Sequence, residues 1–308
     1  MRIFYNLNDF LKSNAHSGKF LITLGVFDGV HRAHQKIIRA MIKKAKRKYL
    51  STMLITFDPH PANILKRRAK VPLLISLKHR LRLLNELGLD YVIVLRFTKR
   101  LSHTNAVDFI KNTLSKIHID EIIVGRNFFF GRYKKGTFKE LKKYGYRVST
   151  IGAIKSSGKV ISSTWIRNLI LKGNLKKASS LLSRPVTVLG TVIKGHKRGR
   201  IIGYPTANIN PHHEAIPPSG VYAVKIISAH RLYKGILNIG VKPTFKKSSG
   251  DRESTIEVHI FNFNKHIYGE DLEIIFVKKI RREKKFKDMF RLKKQIRQDE
   301  KFARRILH

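Results

Sequence analysis

The sequence predicts an α/β chain in two parts. Residues 1–183 read as a doubly wound parallel sheet, and residues 184–308 as a small antiparallel β-barrel with C-terminal helices. Three observations carry this. Strand-like and helix-like runs alternate from Lys19 to about Ile151, as in β-α-β units on a parallel sheet. Past Ser183-Arg184-Pro185, where proline stops a helix, the pattern changes to short β-branched runs punctuated by glycine and proline. The length, 308 residues, suits about two domains.

In chain order, Phe20–Val26 is a buried strand and His31–Lys48 a helix, with Ile37, Ile38, Met41, Ile42 and Ala45 at helical spacing. Met53–Phe57 is a strand. Leu77–Leu87 is a helix with Leu77, Leu81, Leu84 and Leu87 on one side, ending near Gly88. Tyr91–Leu95 is a strand, and Asn105–Ile117 a helix with Val107, Ile110, Leu114 and Ile117 inward. Glu121–Val124 and Arg147–Ile151 are strands around a short helix, Phe138–Tyr144. A helix capped by Ser163 or Thr164 runs through Leu171, and another covers Leu175–Leu182. The barrel strands are Val186–Val192, Val221–Ile227, Gly235–Ile239, Thr255–Phe263 and Leu272–Val277. Phe286–Leu307 forms one or two helices, with Phe290, Ile296, Phe302 and Ile306 available to dock.

Composition narrows the function. There is no cysteine, which excludes a disulfide framework and a thiolate metal site and fits cytoplasmic conditions. Met1 to Asp9 lacks the plan of a signal peptide, and no apolar run approaches the ~18–20 residues that cross a bilayer. The 64 Lys+Arg against 20 Asp+Glu give a formal charge of +44. That balance invites a nucleic-acid reading. The basic residues, however, are spread from Lys43 to Arg305 and interleaved with apolar ones, as on lysine-coated helices. No helix-turn-helix, zinc or RNA-recognition signature accompanies them, so no specific nucleic acid is expected, and no obligate protein partner is evident.

The polar clusters of the first half fall at strand ends, where parallel sheets bind ligands. Leu24-Gly25-Val26-Phe27-Asp28-Gly29-Val30-His31-Arg32-Ala33-His34 is a strand-to-helix turn. His31 and His34 share one helix face, and the helix start offers free N–H groups to phosphate. The bland alternative is two surface histidines. Thr56-Phe57-Asp58-Pro59-His60-Pro61 leaves the next strand, and Val124-Gly125-Arg126-Asn127-Phe128-Phe129-Phe130-Gly131 leaves a third. Phe128 and Phe130 read as plain core, whereas Asn127 is hard to explain by packing. Ile161-Ser162-Ser163-Thr164-Trp165-Ile166-Arg167 opens a helix whose hydroxyls and Arg167 suit a phosphate chain as well as a cap.

In the second half, Gly195-His196-Lys197-Arg198-Gly199-Arg200-Ile201-Ile202-Gly203-Tyr204-Pro205-Thr206-Ala207-Asn208 combines glycines with basic residues, fit to approach phosphates. Thr206 and Asn208, two apart, face one way on an extended chain and offer hard oxygen ligands suited to Mg²⁺; a simple Asx turn is the alternative. Asn238-Ile239-Gly240-Val241-Lys242-Pro243-Thr244-Phe245 is a second such cluster. Glu257 alternates with Ile256 and Val258 and is either a solvent-facing strand residue or a general base.

LGVFDGVHRAH, TFDPHP, VGRNFFFG and ISSTWIR, in this order, resemble the adenylyltransferase half of bacterial bifunctional riboflavin kinase/FAD synthetases. GRIIGYPTAN, the Asn238 cluster and the Glu257 strand resemble the flavokinase half, so the resemblance runs from about Lys19 to Leu307. It implies a Rossmann-like nucleotidyltransferase domain ahead of a flavokinase barrel. It implies ATP-dependent phosphorylation of riboflavin to FMN, then adenylylation of FMN to FAD with release of pyrophosphate. His31 and His34 would stabilise the transferred α-phosphate, with Gly25, Phe27, Asp28, Asn127, Ser163, Thr164 and Arg167 binding the nucleotide. Gly195, Gly199, Arg200, Gly203 and Pro205 would cover the kinase ATP, Thr206 and Asn208 would hold its Mg²⁺, and Glu257 would be the base. Ala33 stands where the family has glycine, and Asn127 where many members carry aspartate. Lys285-Phe286-Lys287-Asp288-Met289 departs from a serine-bearing pattern. The methyl of Ala33 narrows the room beside the nucleotide, and the alternative that follows is a riboflavin kinase with a weakened adenylyltransferase.

Overall fold

The computed structural model describes residues 1–65, 71–195, 199, 203–242 and 253–307, and its contacts divide into two compact units. The first contains Met1–Leu73 and Leu77–Ser163; the second contains Leu74–Ser76 and Thr164–His308.

The first unit begins with β1 (Arg2–Phe4) and α1 (Leu7–Leu11), then β2 (Phe20–Leu24) and α2 (Arg32–Lys48). β3 (Ser51–Asp58) leads to α3 (Pro61–Leu65) and α4 (Leu77–Glu86), and β4 (Tyr91–Arg96) to α5 (Lys99–His103) and α6 (Ala106–Asn112). β5 (Ile119–Gly125) is followed by a small hairpin of β6 (Phe129–Phe130) and β7 (Gly136–Thr137), then α7 (Phe138–Lys143) and β8 (Val148–Ile151). A second hairpin, β9 (Lys155–Ser156) with β10 (Lys159–Val160), closes the unit.

The six main strands lie in the order β1-β4-β3-β2-β5-β8, and every pair is parallel. The chain winds outward one way from β2 through β3 and β4, and the other way through β5 and β8. The order therefore reverses at β2/β5, and a crevice opens beyond their carboxyl ends. Both faces are covered, so β2 is buried along all five residues, and Phe20, Ile22, Met53, Ile55, Ile93, Ile122 and Val124 form one core with α6 and α7.

The strands expected from the sequence match β2, β3, β4, β5 and β8 to within two residues at each end. The helix expected over Asn105–Ile117 stops at Asn112 and finishes as a 3₁₀ turn, Leu114–Lys116, because Thr113 leaves helical geometry (φ −124°, ψ −59°). β1 and α1, with too few residues to show a period, were not expected at all.

The second unit starts with α8 (Ser163–Leu171) and α9 (Leu175–Leu182). Because α8 begins at Ser163, Ser163 and Thr164 occupy its first turn rather than the capping position expected of them. β11 (Thr187–Ile193), β12 (Ala207–Asn210), β13 (Gly220–Ser228), β14 (Arg231–Lys242), β15 (Glu253–Ile260) and β16 (Asp271–Arg281) follow. They close as an antiparallel barrel, β11-β12-β15-β14-β13-β16, with β11 back on β16. Ile209, Leu237, Ile239, Ile256, Val258, Leu272 and Ile274 are buried in it. α10 (Met289–Ile306) is a single helix, capped by Asp288, which lays Ala303 and Ile296 on Ile236 and Phe261. Arg281 fixes it: its Nε donates to both Asp299 oxygens at 3.0 Å, and its terminal nitrogen lies 2.8 Å from one of them.

Leu74–Ser76 joins this unit through a buried carboxylate. Glu214 accepts the Ser76 N–H at 2.7 Å and the Leu189 N–H at 3.0 Å, one on each oxygen. Glu214→Gln turns one acceptor into a donor facing an N–H. We expect it to lower the stability of the barrel by about 1–3 kcal/mol, read as a fall in Tm; an unchanged Tm would show that the carboxylate carries no such bond.

Candidate functional site

The turn from β2 to α2 is under conformational constraint. Phe27 and Val30 have positive φ (53° and 39°), which a β-branched residue adopts only under restraint. The restraint is visible. Phe27 and Val30 are buried, the Gln35 side-chain amide donates to the Val30 carbonyl at 2.9 Å, and Arg80 holds the Val26 carbonyl at 2.6 Å. Arg80 also donates to the Phe57 carbonyl at 3.0 Å, so one buried guanidinium ties this turn to the end of β3. Burial works against its charge, while Asp28 and Asp58 sustain it. Asp28 is buried, 4.0 Å from His60, and its carbonyl accepts the Ser163 hydroxyl at 2.9 Å.

His31 is the residue before α2 and His34 lies in its first turn. Their rings stack 3.6 Å apart at 16°, and Phe27 lies 4.9 Å from His34. Burial first, then His31 and Arg80, push the His34 imidazole well below its ordinary value of 6.5, and its Nδ1 has no hydrogen-bond partner among the described residues. The ring is therefore neutral at pH 7. The unfolded chain, with the higher value, takes up more protons, so acidification below about 6.5 destabilises this unit. His34→Gln should flatten that part of a Tm-versus-pH curve; an unaltered slope would show that His34 titrates normally.

Two cavities meet at the crevice. The smaller, about 330 Å³, is lined by Gly25, Phe27, His31, Ala33, His34, Gly125, Asn127, Gly152 and Ser163. The larger, about 670 Å³, is aromatic: Phe57, Phe97, Phe109, Phe128, Phe129, Phe130 and Tyr133 face it. Leu24, Gly25, Val26, Asn127 and Phe128 line both. Phe128 and Phe130 pack on the core as expected, stacked at 5.6 Å, but they are not plain core, because their other faces form the cavity wall. Arg80 and this aromatic wall were missed. The clue to the wall was the density of phenylalanine at two strand ends. Thr164 and Arg167 belong to the second unit, where Arg167 is buried.

In the barrel, Asn208, Glu257 and Asn238 stand in register across β12, β15 and β14, so their side chains share one outward face. Glu257 is half-buried there. Thr206 is the residue before β12, two positions from Asn208. A Cβ on Gly195 would collide with the Asn208 amide, and one on Gly199 with the Tyr204 carbonyl and, at 3.1 Å, the Thr206 hydroxyl. The absence of a side chain is what lets residues 195 and 199 lie so close to Asn208 and Thr206. Gly203, in a left-handed turn (φ 82°), and Pro205 follow, and the Pro205 carbonyl accepts from His259 Nδ1 at 2.8 Å. Burial and Glu300 raise the Tyr204 phenol against the pull of Arg297, which sets this loop beside α10. Arg200 lies outside the described residues.

The FAD synthetase family matches residues 13–165, and the riboflavin kinase family residues 182–307. The bifunctional riboflavin kinase/FMN adenylyltransferase of Buchnera aphidicola subsp. Schizaphis graminum is 36% identical over 97% of this chain and 96% of its own length. This chain belongs to the bifunctional riboflavin kinase/FMN adenylyltransferase family. The bifunctional enzymes of Bacillus subtilis and Escherichia coli K12 are 36% and 34% identical, each over 92% of this chain. A crystal structure of a protein from Streptococcus pneumoniae, named a macrolide-efflux protein, matches with a TM-score of 0.83 and 31% identity over 98% of each chain. Efflux is said of that protein; among the described residues here, no helix is long and apolar enough to cross a membrane.

Proposed function

We propose how this riboflavin kinase and FMN adenylyltransferase divides its chemistry between its halves, with residues 1–183 forming FAD and residues 184–308 forming FMN. In the kinase, Glu257 takes the proton of the riboflavin 5′-hydroxyl as that oxygen attacks the γ-phosphorus of ATP and ADP leaves. Gly195, Gly199, Arg200, Gly203 and Pro205 belong to the loop over the phosphates. The Thr206 hydroxyl and the Asn208 side-chain oxygen are hard donors that would hold Mg²⁺ brought in with ATP, and the ion would supply positive charge beside the γ-phosphate. In the adenylyltransferase, the smaller cavity takes ATP and the aromatic cavity the isoalloxazine ring of FMN, with Asn127 between them. His31 and His34 stabilise the α-phosphate as an FMN phosphate oxygen attacks it and pyrophosphate leaves. Gly25, Phe27, Asp28 and Ser163 shape the nucleotide side, and Thr164 and Arg167 keep the phosphate-binding role that the family resemblance implies for them. We place the enzyme in the cytoplasm.

The observation that carries the adenylyltransferase reading is the meeting of two cavities, one holding the stacked histidine pair at the start of α2 and the other walled by aromatic rings. The test is a product assay. Purified protein with riboflavin, ATP and Mg²⁺ should yield FMN and then FAD; failure to yield either sinks the reading. Kinase activity alone is the second reading, favoured by Ala33, which lines the ATP cavity. Ala33→Gly should raise FAD formation severalfold if the methyl crowds the nucleotide, and leave it unchanged if it does not.

A further inference from the structure

β2 and β3 part at the crevice. Their parallel ladder ends with Leu24 beside Ile55, and the Gly25 N–H donates to the Ile55 carbonyl at 3.1 Å. Two residues further along each chain, Val26 and Phe57 are no longer paired with each other, and β3 continues on β4, with Phe57 beside Leu95. Both residues line the aromatic cavity. Where the next rung would be stands a side chain from α4. Arg80 donates from one terminal nitrogen to the Val26 carbonyl at 2.6 Å and from the other to the Phe57 carbonyl at 3.0 Å. The Thr56 hydroxyl also donates to the Val26 carbonyl, at 3.1 Å. The guanidinium is buried, with Asp58 3.9 Å away.

Burying a guanidinium is costly, and apolar packing would join two strands as firmly. What a planar fork adds is geometry, because it holds two acceptors at one spacing and angle. The Val26 carbonyl belongs to the rigid peptide plane that leads into Phe27. Fixing that plane fixes the rotation about the next bond, where φ is 53°. Phe27 in turn lies against His34, ring to ring at 4.9 Å, and His34 stacks on His31 at 3.6 Å.

We propose that Arg80 is a positioning residue for adenylyl transfer, acting through the Val26 carbonyl and Phe27 to aim the His31–His34 pair at the α-phosphate. The inference rests on the assignment of His34 to that phosphate. Released, the Phe27 backbone would relax away from its constrained conformation and carry its ring off His34. A displacement of about 1 Å at reacting groups costs roughly a hundredfold in rate. Because Arg80 itself meets no substrate, the loss falls on turnover rather than on affinity.

The test measures FAD formation by the full chain from supplied FMN, ATP and Mg²⁺. Arg80→Met, which keeps an unbranched stem and removes the fork, should lower kcat about ten- to hundredfold with both KM values within about threefold. Arg80→Lys aims a single ammonium at two carbonyls, and its kcat should fall between Arg80→Met and the original. Thr56→Val removes the second hold on the Val26 carbonyl without altering any charge, and should lower kcat about two- to fivefold. A double-mutant cycle separates positioning from mere stability. Arg80→Met added to His34→Ala should slow the enzyme no further than about twofold, because the group it acts through is already gone. Effects that multiply, or a rise in KM with kcat unchanged, overturn the proposal. So does an unaltered kcat in both Arg80→Lys and Thr56→Val, and these two variants decide the matter if Arg80→Met does not fold. If His34→Ala leaves the rate unaltered, the α-phosphate assignment fails and the inference with it. If His34→Ala is slow while the Arg80 variants keep full kcat, the inference fails alone.

Discussion

Glu257→Gln should abolish FMN formation, lowering kcat by about a thousandfold or more, while FAD formation from supplied FMN continues. The side chain keeps its shape and its place between Asn208 and Asn238 in the ladder, so packing is unchanged. What disappears is the capacity to accept a proton from the attacking hydroxyl. General-base assistance is worth roughly 10²–10⁴ in rate, and an amide supplies none of it. The KM for ATP should hardly move, because the proposed mechanism assigns the phosphates to the Gly195–Asn208 side of the site. Turnover above about a tenth of the original would show that another group takes the proton. Loss of both activities would indicate a folding defect instead.

His34→Ala should give the opposite pattern: FMN accumulates, and FAD formation falls by about 10²–10⁴. The ring is held by stacking on His31 and by Phe27, and burial keeps it uncharged in the free enzyme. On the proposed mechanism, an anion in the adjoining cavity would reverse that balance. Negative charge building on the α-phosphate would give the imidazole a partner for a proton, and the interaction would be stronger in the transition state than before it. Interactions of that kind raise kcat rather than merely tighten substrate binding. The measured fall should therefore lie mainly in kcat for FMN adenylylation. A rise in KM alone would mean that His34 only binds ATP, and an unaltered rate would remove it from the site.

Much of this was legible in the sequence because the strands are buried on both faces. Phe20–Leu24 and Tyr91–Arg96 read as apolar runs, and their polar ends mark the crevice. Glu257 was legible for a different reason: alternation with Ile256 and Val258 fixes its face, and β12 and β14 then supply the asparagines in register. Arg80 was not legible. It stands between His79 and Leu81 on an amphipathic helix, where an arginine ordinarily reads as solvent-facing. Only the neighbouring carbonyls of Val26 and Phe57 reveal that it is buried and bonded. β14 was expected as five residues, Gly235–Ile239, because glycines punctuate it. It runs for twelve, held on both sides by ladders to β13 and β15.

Glu214 ties the fold to the continuity of the polypeptide. Its carboxylate holds Ser76, a residue from the middle of the sequence that builds the parallel sheet, inside the unit that contains the barrel. Cutting the gene at Ser163 would yield a C-terminal product lacking Leu74–Ser76, with one acidic oxygen stripped of its amide. Separating the two halves would therefore cost the barrel that bond, unless residue 214 changed with it.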